Sequence, residues 1–498
     1  MISQVLRDAR KYEEIAEKQN IAEERPAFHL AVRTGWLNDP NGLTWYQGKC
    51  HMFYQYHPYE PVWGPMHWGH AVSTDLLHWE YLPAALAPDL PYDTDGCFSG
   101  NALVLPDGRH LLMYTGVRRE QHSDGHHRDV QTQCLAVGDG IDYEKYEGNP
   151  VLDESDLPEG SSRFDFRDPK LWQKADGTYR CVTGSRPADG SGQILMFESE
   201  DAFHWRFKKV LAKNENRFGK MWECPDFFPL DGKQVLLVSP QDMLPQDFEY
   251  HNGNGTLALI GSYDEETDTF TEERNQAVDY GIDFYAPQTV LLPDGRRVMI
   301  AWMQNWDTCT LRNPDQKWFG QMTLPRELSI RNGRLYQKPI RELEALRRNR
   351  VEYRDVSVKD VEALALDGVS GRLVDLELML RPEEGEALYR KFAVRFAQNE
   401  QYQTSVSFRP LESILKVDRK FSGSRRAIIH QRRSRVHSEG GVLKLRLILD
   451  RCSAEIFVND GEQVLTATFY TDQAADRISF FADGAVRMDL VKYELADR

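Results

Sequence analysis

Three acidic side chains, Asp39, Asp168 and Glu223, hold one position relative to a repeated turn: each stands nine residues ahead of a glycine, Gly48, Gly177 and Gly232 respectively. Carboxyl groups gathered by such a repeat repel one another, so at least one keeps its proton toward neutral pH and the set can both give and take protons. That is the equipment of acid–base and nucleophilic catalysis. Taken singly, each acid has a plainer reading, because Asn38-Asp39-Pro40-Asn41-Gly42 is a run of turn formers. The common register sets the three apart.

The unit that would position them occurs five times, with Ser99 before Gly108 and Ala286 before Gly295 as the further copies. Four turns are Asp-Gly (Asp107-Gly108, Asp176-Gly177, Asp231-Gly232, Asp294-Gly295) and the fifth is Gln47-Gly48; such pairs supply the positive φ of tight hairpins. Spacings of 60, 69, 55 and 63 residues between the glycines suit a four-stranded sheet with loops, and five such sheets around an axis make a β-propeller. Ser73–Trp79 recurs as Ser199–Trp205, with a weaker echo at Gly261–Asp264, and reads as the outer strand. In a propeller the first strand of each blade lines the channel, so the three acids should face one cavity.

The all-β propeller is expected over 28–337. An N-terminal helical segment (1–27) precedes it, with Ile2, Val5, Leu6, Ala9 and Tyr12 as an apolar face. Pro339–Arg348 carries Ile340, Leu343 and Leu346 at helical spacing and reads as a linker helix within 338–352. Over 353–498, runs such as Val374–Leu380 and Leu443–Leu449 alternate polar and apolar residues, the mark of antiparallel strands with one wet face and here of a β-sandwich.

A net charge of −16 speaks against nucleic acid or anionic membrane as a partner. No run is apolar enough to span a bilayer and the start lacks a signal peptide. Seven cysteines, odd in number and without paired CxxC spacing, point away from a disulfide framework or a zinc site. A cytoplasmic protein is expected. His122, His126 and His127 read as exposed loop histidines, and Gly253-Asn254-Gly255 as an ordinary turn. The basic stretch Lys416–Arg435 reads as a solvated face, with an intersubunit contact, and so a homo-oligomer through the sandwich, as the alternative. Trp36, Trp45, Tyr54, Tyr56, Trp63, Trp68 and Trp222 lie near the acids, as sugar platforms or as strand core.

Trp36-Leu37-Asn38-Asp39-Pro40-Asn41-Gly42, Phe98-Ser99-Gly100, Arg167-Asp168-Pro169 and Trp222-Glu223-Cys224-Pro225-Asp226 resemble, as an ordered set, the signature blocks of glycoside hydrolase family 32, the invertases and other β-fructofuranosidases. The resemblance covers essentially the whole chain and implies a propeller followed by a sandwich. It implies a retaining mechanism with Asp39 as nucleophile, Glu223 as acid/base and Asp168 as transition-state stabiliser, and it implies no cofactor. Gln55 and Trp302 match sugar-contacting positions of the family; Trp63, Phe98, Ser99 and Tyr285 look like the rest of a fructose pocket, beside Trp36, Asn38, Arg167 and Cys224 of the blocks. For Trp63 and Trp302 core packing is the alternative. On these residues, turn amides should keep Asp39 ionised, poor solvation between Trp222 and Cys224 should hold a proton on Glu223, and Arg167 should keep Asp168 ionised. The implied substrate is a small fructoside: sucrose, sucrose 6-phosphate or a short fructo-oligosaccharide. Fructosyl transfer, a hydrolase for a disaccharide such as inulobiose, an inverting furanosidase and a non-catalytic fructan-binding propeller stand as alternatives.

Overall fold

A computed structural model of the chain describes residues 2–121, 125–309, 316–423 and 429–497. His122 of the expected loop histidines and Arg425 and Arg426 of the basic stretch lie outside these residues. Five four-stranded blades follow one another along the chain. Their inner strands are Gly35–Tyr46, Gly96–Val104, Ser161–Gln173, Trp222–Leu230 and Tyr285–Leu291. The ring closes where Trp318–Phe319, a two-residue strand from the fifth blade's loop, pairs in parallel with Gly35–Trp36 of the first. Ile2 and the helix Gln4–Ala16 then cover that first blade: Leu6, Ala9, Glu13 and Ala16 are buried, whereas Val5 and Tyr12 of the expected apolar face stay exposed.

All five turn glycines have positive φ with open space where a Cβ would stand. The hairpins are nevertheless of two kinds. Gln47-Gly48 and Asp231-Gly232 both lie at positive φ, as a two-residue loop of the primed type requires. At Gly108, Gly177 and Gly295 only the glycine does. There the preceding aspartate instead caps the turn, accepting from the amides of Arg109, Thr178 and Arg296. The Ser-x-Asp repeat is also not a strand but the bend leading into one. Asp75 accepts from the amides of Leu77 and His78, and Asp201 from those of Phe203 and His204, before strands Glu80–Leu86 and Trp205–Lys213 begin.

Each inner strand carries a register shift at one level: between Leu37 and Pro40, Phe98 and Gly100, Arg167 and Lys170, Glu223 and Asp226, and Tyr285 and Gln288. Four of these bulges contain a proline (Pro40, Pro169, Pro225, Pro287), which has no N–H for the ladder, and Asp168, Cys224 and Ala286 sit at positive φ. A bulge turns a side chain that would alternate across the sheet toward the channel mouth.

The segment expected as a linker helix is a 3-10 helix only over Arg341–Leu346, burying Leu343 and Leu346. Arg347 already opens a long strand, Arg347–Leu364, because it pairs with Leu495 and its guanidinium meets Asp375 and Glu377. That strand pairs antiparallel with Arg477–Leu495, which is common to both layers of the sandwich. Lys391–Gln398 pairs with the first half of Arg477–Leu495, and Val374–Pro382 with the second. The propeller is fused to the sandwich by backbone bonds, Tyr280 N to Val464 O at 2.8 Å and Ile282 N to Thr466 O at 2.7 Å. A buried polar network reinforces the seam. His29 bonds Asp450 at 2.7 Å and Glu455 at 3.0 Å, and Arg326 joins Glu455 to Asp279. Burial opposes a charge on His29, but the two carboxylates outweigh it and raise its pKa to about 9. Among the described residues no helix is long and apolar enough to cross a membrane.

Candidate active site

The residue seven positions past each turn glycine, on the second strand of its blade, reaches the inner strand of the next blade. Gln55 Nε2 donates to Cys97 O at 3.0 Å, Thr115 Oγ1 accepts from Asp168 N at 3.0 Å, and Ser239 Oγ accepts from Ala286 N at 3.1 Å. At Gly184 a Cβ would stand 2.3 Å from Trp222 O, so only glycine lets the third and fourth blades meet. The fifth contact is aromatic, Trp302 lying edge-on to Trp36 at 6.0 Å. This ring of contacts holds the bulges at one height.

The acids meet at that height. Asp39, Asp168 and Glu223 line one cavity of about 530 Å³ with Asn38, Gln55, Trp63, Phe98, Ser99 and Arg167. Asp39 accepts from Asn38 Nδ2 at 3.1 Å and from Ser99 Oγ at 3.0 Å, and Trp36 Nε1 fixes Asn38 at 2.8 Å. Cys224 Sγ lies 3.5 Å from Asp39 Oδ2 and 3.6 Å from Asp168 Oδ2, and the Cys224 amide donates to Asp168 at 2.9 Å. Arg167 donates through Nε and Nη2 to Glu223 Oε1 at 3.0 and 2.9 Å, while the Tyr285 hydroxyl donates to Oε2 at 2.7 Å.

Glu223 is displaced by one position from the register its spacing suggests. Arg167 pairs with Gly184 and Glu223 with Ser239, so Glu223 is the counterpart of Arg167, and Cys224 that of Asp168. The cause is the shorter two-residue hairpin of the fourth blade, which the first blade shares but makes up with a second bulge between Asn41 and Thr44. This offset brings Arg167 alongside Glu223 and wedges Cys224 between the two aspartates.

The electrostatics differ from the sequence expectation. Burial, then the charges of Glu223 and Asp168, raise Asp39 to about 7 against the help of Asn38 and Ser99. Its partners are side chains, not the turn amides expected. Burial, partly offset by Arg167 and reinforced by Glu223, raises Asp168 to about 6, so Arg167 does not outweigh desolvation there. The Arg167 guanidinium, held against burial chiefly by Glu223, is a fixed cation. Trp222 does not form the surroundings of Glu223: its ring is fully buried in the blade and donates to Phe218 O. Adjacent residues of a strand point to opposite faces.

Of the expected binding residues, Trp63 stands at the mouth, 42% exposed and edge-on to Phe98 at 6.0 Å. Trp36, Cys224, Tyr285 and Trp302 are buried in the wall behind the cavity-lining residues. Trp302 touches Trp36 and Trp306 rather than the acids. The cavity is completed by residues the sequence reading missed, among them Arg128, Gln131, Asp165, Arg186, Gln241 and Trp306. Arg186 and Gln241 each stand two residues past the coupling position of their strand, so period two would have found them. Arg128 and Trp306 come from segments outside the repeat.

Residues 29–339 match the glycosyl hydrolases family 32 N-terminal domain and residues 342–496 the family 32 C-terminal domain. A raffinose invertase of Escherichia coli is 38% identical over 463 residues, covering 92% of each chain. A sucrose-6-phosphate hydrolase of Bacillus subtilis is 35% identical over 97% of each. Among solved structures, a Bombyx mori family 32 β-fructofuranosidase mutant in complex with sucrose superposes with a TM-score of 0.84 at 32% identity, covering 100% of this chain and 99% of that one. With both domains matched end to end, the chain belongs to glycoside hydrolase family 32.

Proposed function

We propose that the cavity releases a terminal β-D-fructofuranosyl unit from sucrose and short fructo-oligosaccharides, with retention, through a fructosyl-enzyme intermediate. The observation that carries this is the convergence of three carboxyl groups from three blades on one hollow of about 530 Å³, within the range of small-molecule sites. Asp39, buried and crowded by the charges of both other acids, attacks the anomeric carbon. That attack discharges its carboxylate into a covalent bond and relieves the repulsion from Glu223 and Asp168. Glu223 protonates the departing oxygen and then takes a proton from water. Tyr285 serves both states of Glu223, since its hydroxyl lies 2.7 Å from Glu223 Oε2 and 3.0 Å from Ser239 O. It donates to the carboxylate, and when Oε2 carries the proton it turns its hydrogen to Ser239 and accepts. Asp168, fixed by the Cys224 and Thr115 contacts, takes hydrogen bonds from furanose hydroxyls that strengthen as positive charge builds at the anomeric carbon.

Trp63 and Trp306 flank the mouth, where the leaving sugar sits, and Arg128 and Arg186 stand in the same wall. Arg186 is held by Asp165 at 2.7 Å. Relatives named for sucrose 6-phosphate make a phosphorylated leaving sugar the second reading, for which these guanidiniums are the counter-charge. The buried, unpaired thiols suit a reducing cytoplasm. The test is kcat/KM for sucrose, sucrose 6-phosphate, raffinose, kestose and inulin at one pH. The leading reading requires sucrose or kestose to be cleaved to fructose; absence of fructose release from every substrate would leave a binding propeller instead.

A further inference from the structure

The basic stretch that opens at Lys416 is not used by the catalytic site. Three adjacent sandwich strands, Gln403–Arg409, Ile414–Phe421 and Gln431–Arg435, set Ser407 opposite Lys416 and Lys416 opposite Arg433. Like charges directly across a ladder weaken a sheet. The other face of the same strands sends Val406, Phe408, Leu415 and Val417 into the sandwich core, so the cations cannot turn away. Lys391, Arg409 and one carboxylate, Glu412, join them, and the group encloses a hollow of about 60 Å³ that Phe248 of a propeller loop closes on one side. One water needs roughly 10–15 Å³.

The charges in this hollow are only half balanced. Arg409 has Glu412 at 3.1 Å and Lys416 has Asp418 at 2.8 Å. Neither Lys391 nor Arg433 has a carboxylate partner among the described residues. Burial, with Lys416, Arg409 and Arg395 nearby, holds the Lys391 pKa below its ordinary value. Ser407 is 6% exposed, and its hydroxyl lines the hollow without a hydrogen-bond partner among the described residues. The opposed Lys416–Arg433 pair beside it costs stability. A small oxyanion removes that cost and can accept from the Ser407 hydroxyl, and the size of the hollow excludes a polymer.

We propose that this hollow is a binding site for a tetrahedral oxyanion, inorganic phosphate or the phosphate group of a phosphomonoester, held by Lys391, Lys416 and Arg433 with the Ser407 hydroxyl donating. The site lies on the sandwich and is separate from the fructosyl cavity.

The test follows thermal unfolding and calorimetric binding of the full chain with inorganic phosphate, against sodium chloride at equal ionic strength, and with glucose 6-phosphate as the ester. Phosphate should raise the midpoint saturably where chloride does not. Arg433→Ala and Ser407→Ala should weaken the apparent affinity about tenfold or more while sucrose turnover stays at the wild-type rate. Tighter binding of the ester identifies the phosphomonoester as the ligand, and tighter binding of the free ion identifies inorganic phosphate. Without phosphate, Arg433→Ala should unfold at the same or a higher temperature than wild type, because the opposed charge is gone. A phosphate response no larger than that of chloride, or one that survives Arg433→Ala unchanged, overturns the site.

Discussion

Replacing Asp39 by Asn should disable the enzyme and stabilise the fold, and the second effect depends on pH in a fixed sense. Asp39 titrates near 7 in the folded chain against an ordinary value of 3.8. The folded state therefore holds this proton more tightly than the unfolded state. The contribution of Asp39 is most favourable below pH 4 and is lost as pH rises toward 7; above that the folded state bears the whole cost of the buried charge. Three pH units at about 1.4 kcal/mol each give about 4 kcal/mol. Because part of the shift comes from the charges of Glu223 and Asp168, about 2–4 kcal/mol should be recovered on neutralisation. Asn keeps the oxygen that Asn38 donates to, and its amide can donate to Ser99 Oγ. Urea unfolding of wild type and Asp39→Asn at pH 8 and pH 4 measures this directly. The variant should be more stable by about 2–4 kcal/mol at pH 8 and within about 1 kcal/mol of wild type at pH 4. A variant equally or less stable at pH 8 would refute the claim that the site stores like-charge repulsion.

The acid limb of kcat/KM should fall between pH 6 and 7, the span set by Asp168 and Asp39. Glu223→Gln, assayed with a fructoside whose leaving group needs no proton, should move that limb to lower pH, since it removes one of the charges that raise Asp39. A limb that stays put or rises contradicts the coupling. At the domain seam, Arg326→Ala leaves Asp279 buried without its cation and Glu455 with His29 alone and should cost about 3–5 kcal/mol in denaturant unfolding; a loss below about 1 kcal/mol would show that the network is dispensable.

Much of this architecture was legible because the repeat is carried by residues with backbone duties. Glycine at five hairpins and proline at four bulges mark each blade, and the spacing to the acids follows from strand length. The fourth blade shows where counting stops: its hairpin is of the shorter kind, and Asp-Gly gives no sign of whether one residue or two take positive φ. The one-position offset of Glu223, and with it the Arg167 contact, was therefore hidden. The expectation that Asp39 and Asp168 stay ionised failed for a related reason, that surroundings are not set by sequence neighbours. Sequence neighbours of a strand residue lie on the other face, so Trp222 says nothing about the surroundings of Glu223. Burial, which raises Asp39 and Asp168, belongs to the closed ring and not to any local segment. Arg128 reaches the mouth from the start of the second blade's third strand, His127–Gly138, and Trp306 from a loop, neither marked by the turn repeat, whereas Arg186 and Gln241 lay within reach of a period-two count.

The account rests on Asp39 being the atom donor of a covalent bond to fructose. Glu223→Gln, mixed with a fructoside bearing an activated leaving group, quenched in acid and digested, should yield the peptide containing Asp39 heavier by one fructosyl unit, because attack proceeds while release is slow. The adduct should be absent from the double variant that also carries Asp39→Asn. Leaving-group release without an adduct, or an adduct on Asp168, would contradict the account.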